Sequence, residues 1–262
     1  MLRTAFQSAF GRRRRPSRSF GAHLHVTLLE SRTTPTTLLV NPKFMNDPAH
    51  HRFNTIQGAV DAAKSGDNIR VQSGTYKEAV TITKSDIDLF ADGKDGSVRI
   101  QAPAGSDIAV HVDGGATKVD IVGFTITGAN AGIQFGDHFD SPATASGSGS
   151  AVHDTVFGYA QVGIEVIGTG SKAELSGDIV RGPGSAGAAN APIGIQVSDG
   201  ARAEVEGDIV SNNLGNSTNE GVGILVLQTS NVEVEHNVVF GNDEGILLAS
   251  FPGATRVTDT EV

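Results

Sequence analysis

From residue 69 onward, apolar residues alternate with polar ones in short runs. The pairs Ile69/Val71, Val80/Ile82, Ile87/Leu89 and Val98/Ile100 and the triplet Ile108/Val110/Val112 each have a period of two. That is the mark of strands with one face buried. Turn residues separate the runs, at Ser73-Gly74, Asp92-Gly93 and Asp113-Gly114-Gly115. The stretch before them has a different period. In residues 53–66, Ile56, Ala59, Val60 and Ala63 fall on one face of a helix, with Asn54 placed to cap its first turn and Gly66 to stop it. The pattern predicts one short amphipathic helix at about 54–65, followed only by strands.

The later strands repeat. Gly132-Ile133, Gly163-Ile164, Gly194-Ile195, Gly223-Ile224 and Gly245-Ile246 each open a segment of the form Gly-Ile-x-apolar. A second frame lies between them, running through Ala173–Val180, Ala203–Val210 and Val232–Val239, with Val119–Ile126 and Ala151–Val156 in the same register. The spacing between repeats varies while both strand signatures stay fixed. A parallel solenoid requires this, because each coil must return its strands to the same place roughly 4.8 Å above the last while its turns may vary in length.

After the helix, Gly66-Asp67-x-Ile69-x-Val71-x-x-Gly74-Thr75-Tyr76-x-Glu78 is similar to the start of pectinesterases and related β-helix proteins. With the repeat, residues 53–262 resemble the pectin lyase-like superfamily. The resemblance implies an all-β, single-stranded, right-handed parallel β-helix with an N-terminal capping α-helix that plugs the apolar end of the first coil. The handedness comes from the resemblance, since the repeat itself does not fix it.

Composition fits a stack of small aliphatic residues, with 33 Gly, no Trp, two Tyr and 5% aromatic residues. There is no Cys, which excludes disulfides, a thiolate nucleophile and Cys-ligated zinc. Residues 1–52 carry nine Lys/Arg against two Asp/Glu, and residues 53–262 carry eleven against 27. So acidic a domain argues against nucleic acid, and a polyanion would need a bridging cation. No apolar run approaches the roughly 18 residues of a membrane span. The first 52 residues, with Arg12–Arg15 and then Leu29-Glu30-Ser31-Arg32 before Pro35, read as a disordered leader or linker. They resemble leaders of large secreted bacterial β-helix proteins, so an extracellular or cell-surface location is expected.

In the repeat frame one column reads Phe124, Asp154, Asp178, Asp208, Asn237, Thr260. Two carboxylates about 5 Å apart repel by roughly 3 kcal/mol at an effective dielectric near 20. Backbone N–H donors, a raised pKa, a bound cation or side chains turned outward would each offset this. Backbone hydrogen bonding with a structural purpose is the first reading, and calcium at Asp154, Asp178 and Asp208 is the alternative. The catalytic motifs of polygalacturonases are absent, as are the later motifs of pectinesterases and the basic groove of pectate lyases. What remains is Asp137, His138, Asp140 and His153, next to Asp154, as an acid/base or metal group. Two insertions, 182–192 and 212–221, leave consecutive coils at one point, with Arg181, Asn190, Asn212, Asn213 and Glu220 as candidate binding residues. His111 and His236 read as surface or turn positions.

Two functions follow from these observations. The first is a secreted or surface scaffold, adhesin or glycan-contact module, favoured by the missing catalytic sets. The second is a polysaccharide lyase, hydrolase or epimerase of unfamiliar type. In both, the expected partner is a polysaccharide or cell-surface glycan. The last residues match part of a strand frame and then stop, so end-to-end association through an uncapped coil is also expected.

Overall fold

The computed structural model describes residues 34–137, 146–184, 191–216, 218–249 and 255–262. Three parallel sheets run the length of these residues, with ten, seven and seven strands. The chain visits sheets A, B and C once per coil. A central coil contributes Lys172–Ser176 to A, Ile179–Arg181 to B and Ile193–Ser198 to C. Each strand pairs with its counterpart one coil on, for example Leu175 with Val205, Val180 with Val210 and Ile195 with Ile224.

Register turns the sequence repeat into a stacked core. Ile121, Ala151, Leu175, Val205 and Val234 form one buried file on sheet A. Ile126, Val156, Val180, Val210 and Val239 form one on sheet B. Ile133, Ile164, Ile195 and Ile224 form another on sheet C. β-Branched side chains suit such files because their restricted rotamers match the pleated surface. The Gly of each Gly-Ile pair has a steric cause: a Cβ at Gly194 would meet Val210 Cγ1 and, at 2.6 Å, the carbonyl oxygen of Gly223.

The bend from sheet A to sheet B explains the Gly-Asp element of the other frame. Its first position is left-handed in every coil from the third onward: Gly123 (φ 80°), His153 (54°), Gly177 (67°), Gly207 (69°), His236 (56°) and Asp259 (46°). Glycine takes this conformation without a Cβ penalty. The second position, held by the Asp column, turns inward and is buried.

The predicted helix occupies Ile56–Ala62. It starts at residue 56 where about 54 was expected, because Thr55 and not Asn54 is the cap, and its side chain accepts from Gly58 N. It ends at Ala63, whose backbone is already extended, before Gly66 is reached. Ile56, Ala59 and Val60 are buried. Gln57 pairs with the edge of Val80–Ile82, the first strand of sheet C, donating to Thr81 O and accepting from Thr81 N. Glu78 accepts from the N–H groups of Ile56 and Gln57, and Lys84 donates to the carbonyls of Val60, Asp61 and Ala63.

Ordered structure begins before Phe53. Thr37–Val40 pairs in parallel with Asn68–Gln72 and with Arg52–Phe53, adding two strands to sheet A beyond the first coil. Leu38 and Val40 are buried there. At the other end, Thr255–Thr258 stacks on Val232–Glu235, while Phe240, Leu248, Val257 and Val262 are 52, 46, 37 and 72% exposed.

Candidate site on the outer face of sheet C

In the Gly-Ile-x-apolar frame, the residues on either side of x point into the core and x points out. In register, the x positions read Thr81, His111, Gln134, Glu165, Gln196, Leu225 and Leu247. The three central polar members face away from the core yet are nearly inaccessible: Gln134 is 5%, Glu165 6% and Gln196 9% exposed. Buried polar groups need partners. Gln196 Nε2 donates to Glu165 Oε1 (3.0 Å) and to Ser198 Oγ (3.1 Å), and Gln134 Nε2 donates to Gly136 O (2.8 Å). A carboxyl group is thus flanked by two carboxamides at the strand-to-strand spacing.

At one end of this row, His111 Nε2 donates to the same Gly136 carbonyl (3.0 Å), which leaves Nδ1 as a lone-pair acceptor. His111, Asp113 and Asp137 each bring one ligand atom within 4.8 Å of the others, and Asp113 Oδ1 is buried without a hydrogen-bond partner. One imidazole and two carboxylates are a donor set able to hold a divalent cation.

The outer face of sheet A differs in kind. Asp88, Asp120, Ser150, Glu174, Glu204 and Glu233 form one register row there. Burial, then Asp120 and Asp86, push the Asp88 carboxyl up. A shallow groove of about 570 Å³ runs past Asp120, Ser150, Lys172 and Glu174. The row lines up five carboxyl groups on one face, which disfavours a polyanion there.

The sequence-predicted site residues separate into different places. Asp137 follows Gly136 at the corner where sheet C leads to sheet A. His153 lies in the bend from A to B, in a separate groove of about 290 Å³ lined also by Asp95 and Ile179. The six-residue strand Gly147–Val152 stands between the two corners, roughly 20 Å of extended chain. The expected grouping of Asp137 with His153 and Asp154 is therefore corrected: the residues are close in sequence and belong to different corners of the coil. His138 and Asp140 lie outside the described residues, as does Asn190.

The two aligned insertions do leave their coils side by side, since Gly182 N donates to Ser211 O and Gly184 N to Asn212 O. Arg181 and Glu220 are exposed, and Asn212 takes a left-handed turn conformation. Asn213 is fully buried, accepts from Tyr159 Oη and donates to Asn242 Oδ1, so its side chain is committed to an internal ladder. Asp243 braces the second insertion by accepting from Gly215 N and Gly221 N, which hold its carboxyl below the usual range.

The acidic column does face inward. Asp154 Oδ1 accepts from Phe124 N (2.6 Å), Asp178 Oδ1 from Asp154 N (2.7 Å), Asp208 Oδ1 from Asp178 N (2.7 Å) and Asn237 Oδ1 from Asp208 N (2.8 Å). The three Asp residues are 0% exposed, and each Oδ2 is buried without a partner. Each carboxyl spends one oxygen on a backbone donor.

Gln134, Glu165 and Gln196 are not among the sequence-predicted site residues; their only signal in the sequence is the polar x position of three consecutive Gly-Ile-x-apolar repeats.

No family model and no curated protein matches this sequence. Solved structures do match. The catalytic domain of Agl-KA superposes with a TM-score of 0.56 at 14% identity, covering 83% of this chain and 45% of that one. ORF18 of Geobacillus virus E2 gives 0.52 at 14% identity, over 86% of this chain and 48% of its own. The pectin methylesterase of Aspergillus niger gives 0.51 at 15% identity, over 87% of both chains. The chain thus spans about half the length of two of these structures. With its all-parallel sheets and these neighbours, the chain has the right-handed parallel β-helix fold.

Proposed function

We propose that this chain binds a polysaccharide across the outer face of sheet C, outside the cell or at its surface. The observation that carries the reading is the register row of Gln134, Glu165 and Gln196. These side chains are polar and point away from the core, yet they are held in place by mutual and backbone hydrogen bonds. An acid between two amides is a polar row of the kind that recognises sugar hydroxyls, and a sugar chain would take over the bonds these amides now make to Gly136, Glu165 and Ser198. Rungs repeating every coil suit a polymer better than a single small ligand. The acidic row on sheet A favours a neutral glycan over a polyanion. The basic, export-like residues 1–52 support the location.

A second reading is catalytic. Glu165 is a carboxyl group with restricted access to water, and Asp137 lies at the end of the neighbouring strand. Two carboxyl groups on one surface are the usual equipment for glycoside hydrolysis. The pectin methylesterase and the Agl-KA catalytic domain are enzymes by their names, which makes the reading worth testing. A panel of neutral and uronate polysaccharides, assayed for binding and for new reducing ends or unsaturated products, separates the two. Binding without products, weakened at least tenfold by Glu165→Ala, supports the first reading. Products abolished by Glu165→Gln with binding retained support the second. No binding and no products across the panel contradicts both.

A further inference from the structure

The buried column at the bend from sheet A to sheet B contains a chemical contradiction if its carboxyls are ionised. Asn237, the fourth polar member, shows the pattern that fits the site: Oδ1 accepts from Asp208 N, and Nδ2 donates 2.8 Å to Val205 O in the coil before. Val205 stacks in register on Leu175, Ala151 and Ile121. Asp208, Asp178 and Asp154 reproduce the accepting half of the pattern. Their Oδ2 atoms occupy the amide nitrogen's role but are buried without a partner. An ionised Oδ2 has only lone pairs to turn toward a carbonyl, whereas a protonated one is a donor.

We propose that Asp154, Asp178 and Asp208 stand in the fold as neutral carboxylic acids, each donating its Oδ2 proton to the carbonyl one coil back. Leu175, Ala151 and Ile121 supply the carbonyls for Asp208, Asp178 and Asp154 respectively. The three acids then complete an amide-like ladder, and ionisation removes its donors one rung at a time. The central coils are accordingly a proton-loaded zipper that loosens as pH rises. This inference is independent of the glycan-binding reading.

The surroundings agree. Asp154 shares its bend with Asp95 and His153. Asp178 lies between the other two acids, and Glu206 acts on Asp208. No Lys or Arg is among the groups acting on the three. Burial is the largest influence on each and pushes all three carboxyls up, Asp208 to about 7, and Asp154 and Asp208 raise Asp178 further; backbone N–H groups pull the other way, those of Phe124, Val152 and Gly123 on Asp154, of Asp154 and Ser176 on Asp178 and of Asp178 on Asp208, without outweighing burial. The unfolded chain titrates near 4. Stabilisation by the ladder is therefore complete below about pH 4. It is lost as pH rises through about 7 for Asp208, and further as Asp154 and Asp178 ionise. Each acid undergoing titration lowers the folding equilibrium constant by up to about tenfold per pH unit.

Urea unfolding of the full chain between pH 4 and 9 tests this, beside the triple variant Asp154→Asn, Asp178→Asn, Asp208→Asn. The expected result is a midpoint that falls with pH in the native protein and is nearly level in the triple variant, which becomes the more stable at pH 9. Asp88→Asn is the control for the raised carboxyl on sheet A and should keep most of the slope. If the triple variant does not fold, infrared spectra of the native protein decide: a protonated-carboxyl band present at pH 6 and bleached at higher pH is required. Absence of that band overturns the proposal. So does a midpoint that is level or rising between pH 5 and 8, or a slope lost in Asp88→Asn rather than in the triple variant. A midpoint at pH 7 that calcium raises and a chelator lowers also overturns it, because ionised carboxylates would then be holding a cation.

Discussion

At the scale of the residue, one glycine per coil decides how closely the coils can stack. A Cβ at Gly194 has nowhere to go, with the Gly223 carbonyl on one side and Val210 and Asn213 on the others. Gly194→Ala should destabilise the fold by about 1–3 kcal/mol, as overpacking does in a close-packed interior. A lowered urea midpoint with an unchanged slope would show it, and an unchanged midpoint would mean the coils can part. This glycine file was legible in the sequence as Gly-Ile, and the left-handed bend was legible as Gly-Asp. The chemistry of the column was legible as a conflict of charges, though not its direction of resolution. That required seeing Asn237 use both ends of its amide. Gln134, Glu165 and Gln196 were not legible as a group, because outward polar residues in strands are ordinary and only burial distinguishes these.

At the scale of the element, alternation located the strands from residue 69 on, since each is long enough to show a period of two. Thr37–Val40 escaped because a four-residue strand within the six residues between Pro35 and Pro42 gives too short a window, and no repeat supports it. Its inward residues Leu38 and Val40 are recognisable only once Ile69 and Val71 are seen beside them. The helix was placed correctly but its ends were not, because Thr55 outcompeted Asn54 as the cap. Gln57 gives this helix a second task, closing the open edge of sheet C with one side-chain amide. Gln57→Ala should expose the Thr81 amide to solvent and cost about 1 kcal/mol. Hydrogen exchange at Thr81 should accelerate, with little change at Val110, one strand inside the sheet edge. Equal protection in both proteins would show that the helix body alone covers the edge.

At the scale of the whole molecule, the solenoid's two ends differ. Two extra strands extend sheet A beyond the first coil, whereas Leu248 and Val257 at the other end belong to the core files and are 46 and 37% exposed. The repeat conveyed the architecture, but not which residues share a corner. Asp137 and His153 sit 16 positions apart in sequence and at different corners, while Gln134 and Glu165 are 31 apart and adjacent. Distance along a coiled path and distance in space are unrelated until the coil's corners are known.

The buried polar row on sheet C is proposed to recognise a sugar chain. The most direct test is calorimetric titration of the full chain with the best-bound oligosaccharide from the panel, beside Gln134→Ala, Glu165→Ala and an outer-face substitution on sheet A, Glu204→Ala. Affinity should fall at least tenfold in the two sheet C variants and stay unchanged in Glu204→Ala. Unchanged affinity in both sheet C variants, or loss only in Glu204→Ala, would contradict it.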